Sequence, residues 1–231
     1  MQTPLWNVTY QLRRQRDTGQ PYTERFALQV DPDEYVLDGV ERIWAFHDRS
    51  LVFRHACHHS TCGACGMRVN GTEKLTCITR IRDVTHDGGT ILVEPLRNFP
   101  IVADLAVDMS QLYRAMERVD AQSVVSDTDG STRLSDCIEC GLCISACPVM
   151  ATALHYLGPA PLAAVGRDGA AERVYEQVDS ADGLWRCHNS FECSAVCPSG
   201  VDPAQAIMGL RRQIVGRRVK HLFARKKEGK L

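Results

Sequence analysis

The sequence predicts an α+β chain in two parts, with strands and one helix over residues 1–103 and mostly α-helix over residues 104–231. Three observations lead there. Two runs of strict polar–apolar alternation open the chain and precede a single stretch of helical periodicity. In the second part the apolar residues recur at helical spacing instead, interrupted by Gly and Pro. The eleven cysteines fall into three tight groups, one in the first part and two in the second.

Trp6, Val8, Tyr10 and Leu12 alternate with other neighbours, as do Phe26, Leu28 and Val30. Both runs read as half-buried strands, with Asp17-Thr18-Gly19 as turn material between them. Asp31-Pro32 is expected to cap a helix that carries Val36, Leu37, Val40, Ile43 and Trp44 on one face. Short strands are expected around residues 67–69, 75–77 and 90–94, with Asn70-Gly71 as a tight turn. Strand, strand, helix and further short strands give the order of a β-grasp fold. A connector from about residue 99 leads into a helix whose stripe of Leu112, Tyr113, Met116 and Val119 faces the core. Residues 123–135 are polar and read as an exposed loop. Helices are expected over 153–165 and 170–178, broken by Gly158-Pro159 and by the glycines at 166 and 169. Asp202-Pro203 opens a last helix with Ala206, Ile207, Leu210 and Ile214 on one face.

The cysteine spacing carries the chemistry. Cys57, Cys62 and Cys65, followed by Cys77, form C-x4-C-x2-C…C, the ligand pattern of a plant-type 2Fe–2S cluster. Gly63 and Gly66 suit a loop that folds tightly and aims N–H groups at sulfur. His58 and His59 offer a superficial likeness to a Rieske centre, but no C-x2-H follows Cys77, and four thiols already satisfy the site. They read as surface-loop residues, with tuning of the cluster potential as a second role.

Cys137, Cys140, Cys143 and Cys147-Pro148 form C-x2-C-x2-C-x3-C-P, the bacterial ferredoxin run. Three thiolates wrap one corner of a cube and the fourth reaches a different cluster, while the proline stops the helix. Zinc would use two separated cysteine pairs instead. A second run holds Cys187, Cys193 and Cys197-Pro198, with Ser190 where a repeat would place cysteine. Exchange of the last cysteines assigns Cys137, Cys140, Cys143 and Cys197 to a 4Fe–4S cluster. Cys147, Cys187 and Cys193 are left for a cube lacking one thiolate, a 3Fe–4S cluster. Four, four and three ligands use every cysteine. A serine oxygen is too hard and basic to be a good fourth ligand. The fold class is therefore an N-terminal β-grasp (plant-type 2Fe–2S ferredoxin) domain over residues 1–103. A mostly α-helical bacterial-ferredoxin-like domain follows over residues 104–231.

Composition agrees with a folded protein: 44% hydrophobic and 24% charged residues. No run of about 18 apolar residues is present and no basic-then-apolar leader opens the chain. An odd cysteine count speaks against a disulfide framework. Residues 211–231 hold nine of the 27 Lys/Arg against one acid, Glu228. Such a tail suits an acidic partner, lipid headgroups or plain solvation; no aromatic interleaving points to nucleic acid. No GxGxxG fingerprint, P-loop or nucleophile–base grouping places substrate chemistry on this chain.

Three unlike clusters in this order resemble the iron–sulfur subunit of the succinate dehydrogenase / fumarate reductase (succinate:quinone oxidoreductase) family, over essentially the whole chain. Asn70-Gly71, Pro95-Leu96, Pro100-Ile101, Asp104 to Met109, Gly158-Pro159-Ala160 and Arg186-Cys187-His188 extend the likeness. The resemblance implies a relay from the FAD of a flavoprotein subunit through 2Fe–2S, 4Fe–4S and 3Fe–4S to quinone. It implies membrane anchor subunits holding the chain peripherally at the cytoplasmic face of a prokaryotic cell membrane. It also implies a quinone pocket near the 3Fe–4S cluster, with His188 lining it and Pro148 in the same neighbourhood. Succinate oxidation is the first reading of direction and fumarate reduction the alternative. The family's usual Cys-Arg-Glu-Gly is replaced here by Cys57-His58-His59-Ser60, and the tryptophans that follow the first Cys-Pro in ubiquinone-linked members are replaced by Val149-Met150-Ala151-Thr152, which points to menaquinone. A subunit serving another flavoenzyme, a freely diffusing multi-cluster ferredoxin and a structural zinc module are the competing readings.

Overall fold

The computed structural model describes residues 4–16, 19–119, 137–153, 155–168 and 174–228. The expected turn at residues 17–18 and the loop at 123–135 lie outside them. The chain divides into two compact units. The first is Met1–Gln111 with Ile138–Ala146, and the second is Leu112–Cys137 with Cys147–Leu231.

In the first unit, β1 (Trp6–Arg14) and β2 (Tyr22–Val30) are the two alternating runs, paired antiparallel with Trp6 opposite Val30 and Leu12 opposite Glu24. Alternation sends Val8, Tyr10 and Leu12 to one face, where all are buried. α1 (Val36–Phe46) buries Val36, Val40 and Ile43 against that face, and Leu37 is buried too. The helix starts at Val36, later than Asp31-Pro32 implies. Asp31 instead closes its own turn, accepting the Asp33 N–H at 2.9 Å on its side chain. Asp38 then reaches back to the Tyr35 N–H at 2.9 Å, anchoring the first helical turn.

β3 (Gly66–Val69) and β4 (Thr72–Leu75) form a hairpin through Asn70 (φ 49°) and Gly71 (φ 84°). Two residues with positive φ make the primed turn that fits strand twist. Because Val69 pairs with Thr72, the strand lies at Thr72–Leu75 and not at 75–77. Cys77 falls in the turn beyond it. β5 (Thr90–Glu94) completes a five-stranded sheet of order β2-β1-β5-β3-β4, parallel only between β1 and β5. The expected connector near residue 99 contains a small hairpin, β6 (Ile101–Ala103) and β7 (Ala106–Val107), turning at Asp104 (φ 47°). Buried Asp104 accepts from Arg14 Nη2 at 3.0 Å, and Arg14, 1% exposed, also pairs with Glu24 and Asp48.

α2 (Ser110–Arg118) buries Leu112 and Met116, while Tyr113 is exposed and Val119 is buried just past the helix end. α3 (Leu142–Ala146) is a short turn of helix packed into the first unit. There Ser145 Oγ accepts the Arg97 N–H at 2.9 Å and donates to Glu73 at 2.8 Å.

In the second unit, α4 (Pro159–Asp168) begins at the Gly158-Pro159 step that was expected to break a helix over 153–165. Proline suits the first helical position, where its missing N–H is not needed. α5 is Tyr175–Val178, and residues 170–173 of the helix expected over 170–178 lie outside the described residues. α6 is Glu192–Ala195, and α7 is the 26-residue helix Pro203–Glu228. α4 and α7 pack together, and Ile207, Leu210 and Ile214 are buried. Among the described residues no helix is long and apolar enough to cross a membrane.

Candidate iron–sulfur centres

The first unit gathers Cys57, Cys62, Cys65 and Cys77. The thiols of Cys57 and Cys62 hydrogen-bond to one another, as do those of Cys65 and Cys77. The hairpin does the gathering: Thr76 N–H and Oγ1 both donate to the Cys65 carbonyl, at 3.2 and 3.0 Å, which brings Cys77 beside Cys65. The N–H groups of His59, Thr61 and Cys62 point at Cys57 Sγ, at 3.5, 3.3 and 3.4 Å. They hold that thiol well below its ordinary value, at about 6. Ala64 N–H points at Cys62 Sγ at 3.5 Å. Cys77 goes the other way, pushed up to about 12 by burial and then by Cys65. Four converging soft donors, ringed by N–H groups aimed at sulfur, fit a 2Fe–2S cluster. His59 closes on the Cys57 carbonyl through its ring Nδ1, and the His58 ring lies 3.2 Å from that of His55.

Loop geometry explains the glycine at position 63. Gly63 has φ +70°, and a Cβ there would come within 2.7 Å of the Ile138 carbonyl and 2.9 Å of Cys140 Cα. Residues 138–146 thus pack directly on the first cysteine loop.

Cys140 and Cys143 lie in the first unit, Cys137 and Cys197 in the second. Cys147, Cys187 and Cys193 all lie in the second unit, where charge on Cys187 adds to burial in raising Cys147, and charge on Cys147 and Cys187 adds to burial in raising Cys193. Burial is the larger cause for both, and it carries Cys193 up to about 11. The buried Tyr156 hydroxyl hydrogen-bonds Cys187. Three thiols fit a three-iron cluster.

The two ferredoxin runs share a backbone. Glu139 and Gly141 have φ of +51° and +78°, and Asn189 and Phe191 have +58° and +62°. The same two positions after the leading cysteine are left-handed in each. Ser190 therefore stands in the second loop where Cys140 stands in the first. Ser190, His188 and Pro148 are exposed.

Residues 8–114 match the family of 2Fe-2S iron-sulfur cluster binding domains, and residues 133–201 match that of 4Fe-4S dicluster domains. The chain is 36% identical over 209 residues to the fumarate reductase iron-sulfur subunit of Mycobacterium tuberculosis, covering 81% of this chain and 83% of the relative. It is 30% identical over 223 residues to the succinate dehydrogenase iron-sulfur subunit of Paracoccus denitrificans, covering 87% and 85%. It belongs to the succinate dehydrogenase / fumarate reductase iron–sulfur subunit family. A chain of the apo-form Mycobacterium smegmatis Sdh1 complex superposes with a TM-score of 0.78, over 93% of this chain and 98% of that one, at 23% identity.

In this family member α7 does more than supply a basic tail. Arg211 donates to Asn189 Oδ1 at 2.9 Å, to the Leu184 carbonyl at 3.0 Å and to the Cys187 carbonyl. It thereby clamps the loop that carries Cys187. One helical repeat on, Arg218 Nε donates to Asp179 at 2.9 Å, and the Arg217 guanidinium sits 3.9 Å over the Tyr175 ring. Neither Arg211 nor Tyr156 was singled out by sequence reasoning. The i, i+7 spacing of Arg211 and Arg218 on a helix with a buried face is the signal that was available.

Proposed function

We propose that the chain is the electron-transfer subunit of a membrane-bound succinate dehydrogenase. It would hold 2Fe–2S on Cys57, Cys62, Cys65 and Cys77, 4Fe–4S on Cys137, Cys140, Cys143 and Cys197, and 3Fe–4S on Cys147, Cys187 and Cys193. Bound there, the clusters supply one-electron carriers in series between the FAD of a flavoprotein partner and quinone. The sheet order β2-β1-β5-β3-β4, with α1 on one face, supports reading the first unit as a β-grasp domain.

The observation that carries the proposal is the shared backbone of the two ferredoxin loops, with a serine at the one corner where its counterpart has a thiol. The chain's own residues set the properties of the centres. N–H groups around Cys57 stabilise negative charge on sulfur. Burial of Cys147 and Cys193 penalises charge, which favours the centre with one thiolate fewer and a higher potential. The Tyr156 hydroxyl adds a donor to Cys187. Exposed Pro148 and His188 adjoin Cys147 and Cys187, which supports a quinone site there, with the imidazole suited to proton delivery. Phe191 is 52% exposed yet held left-handed. We read this exposed apolar side chain, on the loop that carries Cys187 and Cys193, as part of the face that meets membrane anchor subunits.

Fumarate reduction through the same centres is the second reading, favoured by the name of the Mycobacterium tuberculosis relative. The test is purification of the chain with its native partners. The proposal expects a flavoprotein and anchor to co-purify and the complex to reduce a menaquinone analogue with succinate. A partner flavoprotein that is inert to both succinate and fumarate would overturn it.

A further inference from the structure

The first unit carries a cluster of ligating side chains that the cysteine chemistry does not use. Glu41 lies on α1, and His55 and His58 lie on the segment leading into and through the first cysteine loop. Glu41 Oε1 is 2.9 Å from His55 Nδ1 and 3.2 Å from His58 Nε2, and the two ring nitrogens are 3.2 Å apart. All three atoms lie within 4.8 Å of one another. Ligand atoms at about 2.0–2.1 Å from a tetrahedral zinc are about 3.3–3.4 Å from one another, so the observed triangle is close to one face of that tetrahedron.

Two further features point to an ion. Among the described residues Glu41 Oε1 is shielded from water and has no hydrogen-bond partner of normal geometry, despite the two nearby ring nitrogens. The His55 ring is also held in place from outside the triangle. His55 stacks on Phe53 at 5.1 Å with 17° between planes, and Phe53 packs edge-on to Trp44 of α1. His58 meets His55 edge-on at 5.3 Å, on backbone with φ +60°. Two imidazoles and a carboxylate oxygen suit borderline divalent transition ions. The His55 and His58 side chains are 39% and 43% exposed, so the triangle meets solvent on its imidazole side, where remaining ligands can enter.

We propose that Glu41, His55 and His58 form a binding site for a divalent transition cation of the zinc class, held by one carboxylate oxygen, His55 Nδ1 and His58 Nε2, and completed by water or an external ligand. The site uses none of the cysteines, but His58 adjoins Cys57 in the first cysteine loop, so its binding is tested with the iron in place.

Calorimetric titration of the full chain with Zn²⁺, with its iron retained so that thiols do not compete, tests the proposal. One high-affinity ion per chain is expected. Glu41→Gln and His55→Ala should each weaken binding by more than tenfold, while His86→Ala leaves it unchanged. His58→Asn, which tolerates left-handed backbone, should do the same as His55→Ala. Cu²⁺ as a second probe should give an EPR spectrum split by two imidazole nitrogens, reduced to one in His55→Ala. Iron content and visible absorbance check that each variant is folded. Wild-type binding no tighter than that of the variants, or a copper spectrum unaltered by His55→Ala, would overturn the proposal.

Discussion

At Cys57, N–H groups from residues 59, 61 and 62 surround one sulfur. Donors stabilise the thiolate over the thiol, so the group ionises near pH 6 where 9.0 is ordinary. Its neighbour Cys77 is buried beside Cys65, and removal from water disfavours the thiolate, which forms only near pH 12. The sign of each effect fixes the outcome. As pH rises through about 6, Cys57 of the cluster-free chain should become reactive, and Cys77 should stay inert until far higher pH. Iodoacetamide labelling read by peptide mass spectrometry checks this: Cys57 should be modified at pH 7 and Cys77 should not. Equal labelling of the two would show that the loop is not organised before cluster insertion. Ser190 makes the matching point by omission, since it is one oxygen where the equivalent loop position holds sulfur.

At the level of elements, α7 organises the loop that carries Cys187. Three hydrogen bonds from Arg211 tie together Leu184, Cys187 and Asn189, residues with no regular ladder between them. A hydrogen bond from a charged donor contributes about 1.5–3 kcal/mol. Arg211→Met keeps the bulk and removes every donor. Its expected cost is at least about 2 kcal/mol in chemical denaturation. Iron should be lost first from the site of Cys147, Cys187 and Cys193, seen as selective loss of the three-iron EPR signal. Arg211→Lys should rescue only partly, because one ammonium cannot replace a guanidinium fork. A full three-iron signal in Arg211→Met would remove the clamp from the account.

Across the molecule, the ferredoxin run is not confined to the helical half of the chain. Residues 138–146 pack with the N-terminal sheet through Gly63, Arg97, Asn98 and the Glu73–Ser145 hydrogen bond. Gly63→Ala places a methyl group against the Ile138 carbonyl on backbone that resists φ +70°. The expected cost is about 2 kcal/mol or more. Iron content should fall at the 4Fe–4S site as well as the 2Fe–2S site, whereas a merely local lesion would spare the former. The cysteine groups stand out in the sequence because a cluster dictates the ligand spacing of the short loop that wraps it. Strands β1, β2 and β5 were legible from alternation. The start of α1 was not, since Asp31 spends its side chain on its own turn. β6 and β7 were missed because Asp104, not Gly or a Pro pair, makes the reversal. Arg211 was hidden in a charge count that cannot see its acceptors. Glu41 and His55 are brought together across a helix and a loop, a distance no local pattern encodes.

The serine corner at Ser190 is tested most directly by EPR of the oxidised chain. A three-iron cluster is paramagnetic when oxidised, whereas a four-iron cluster of this type is silent in that state. The wild-type protein should give a three-iron signal that disappears in Ser190→Cys, with iron content rising. An oxidised wild-type chain with full iron content and no such signal would contradict the account.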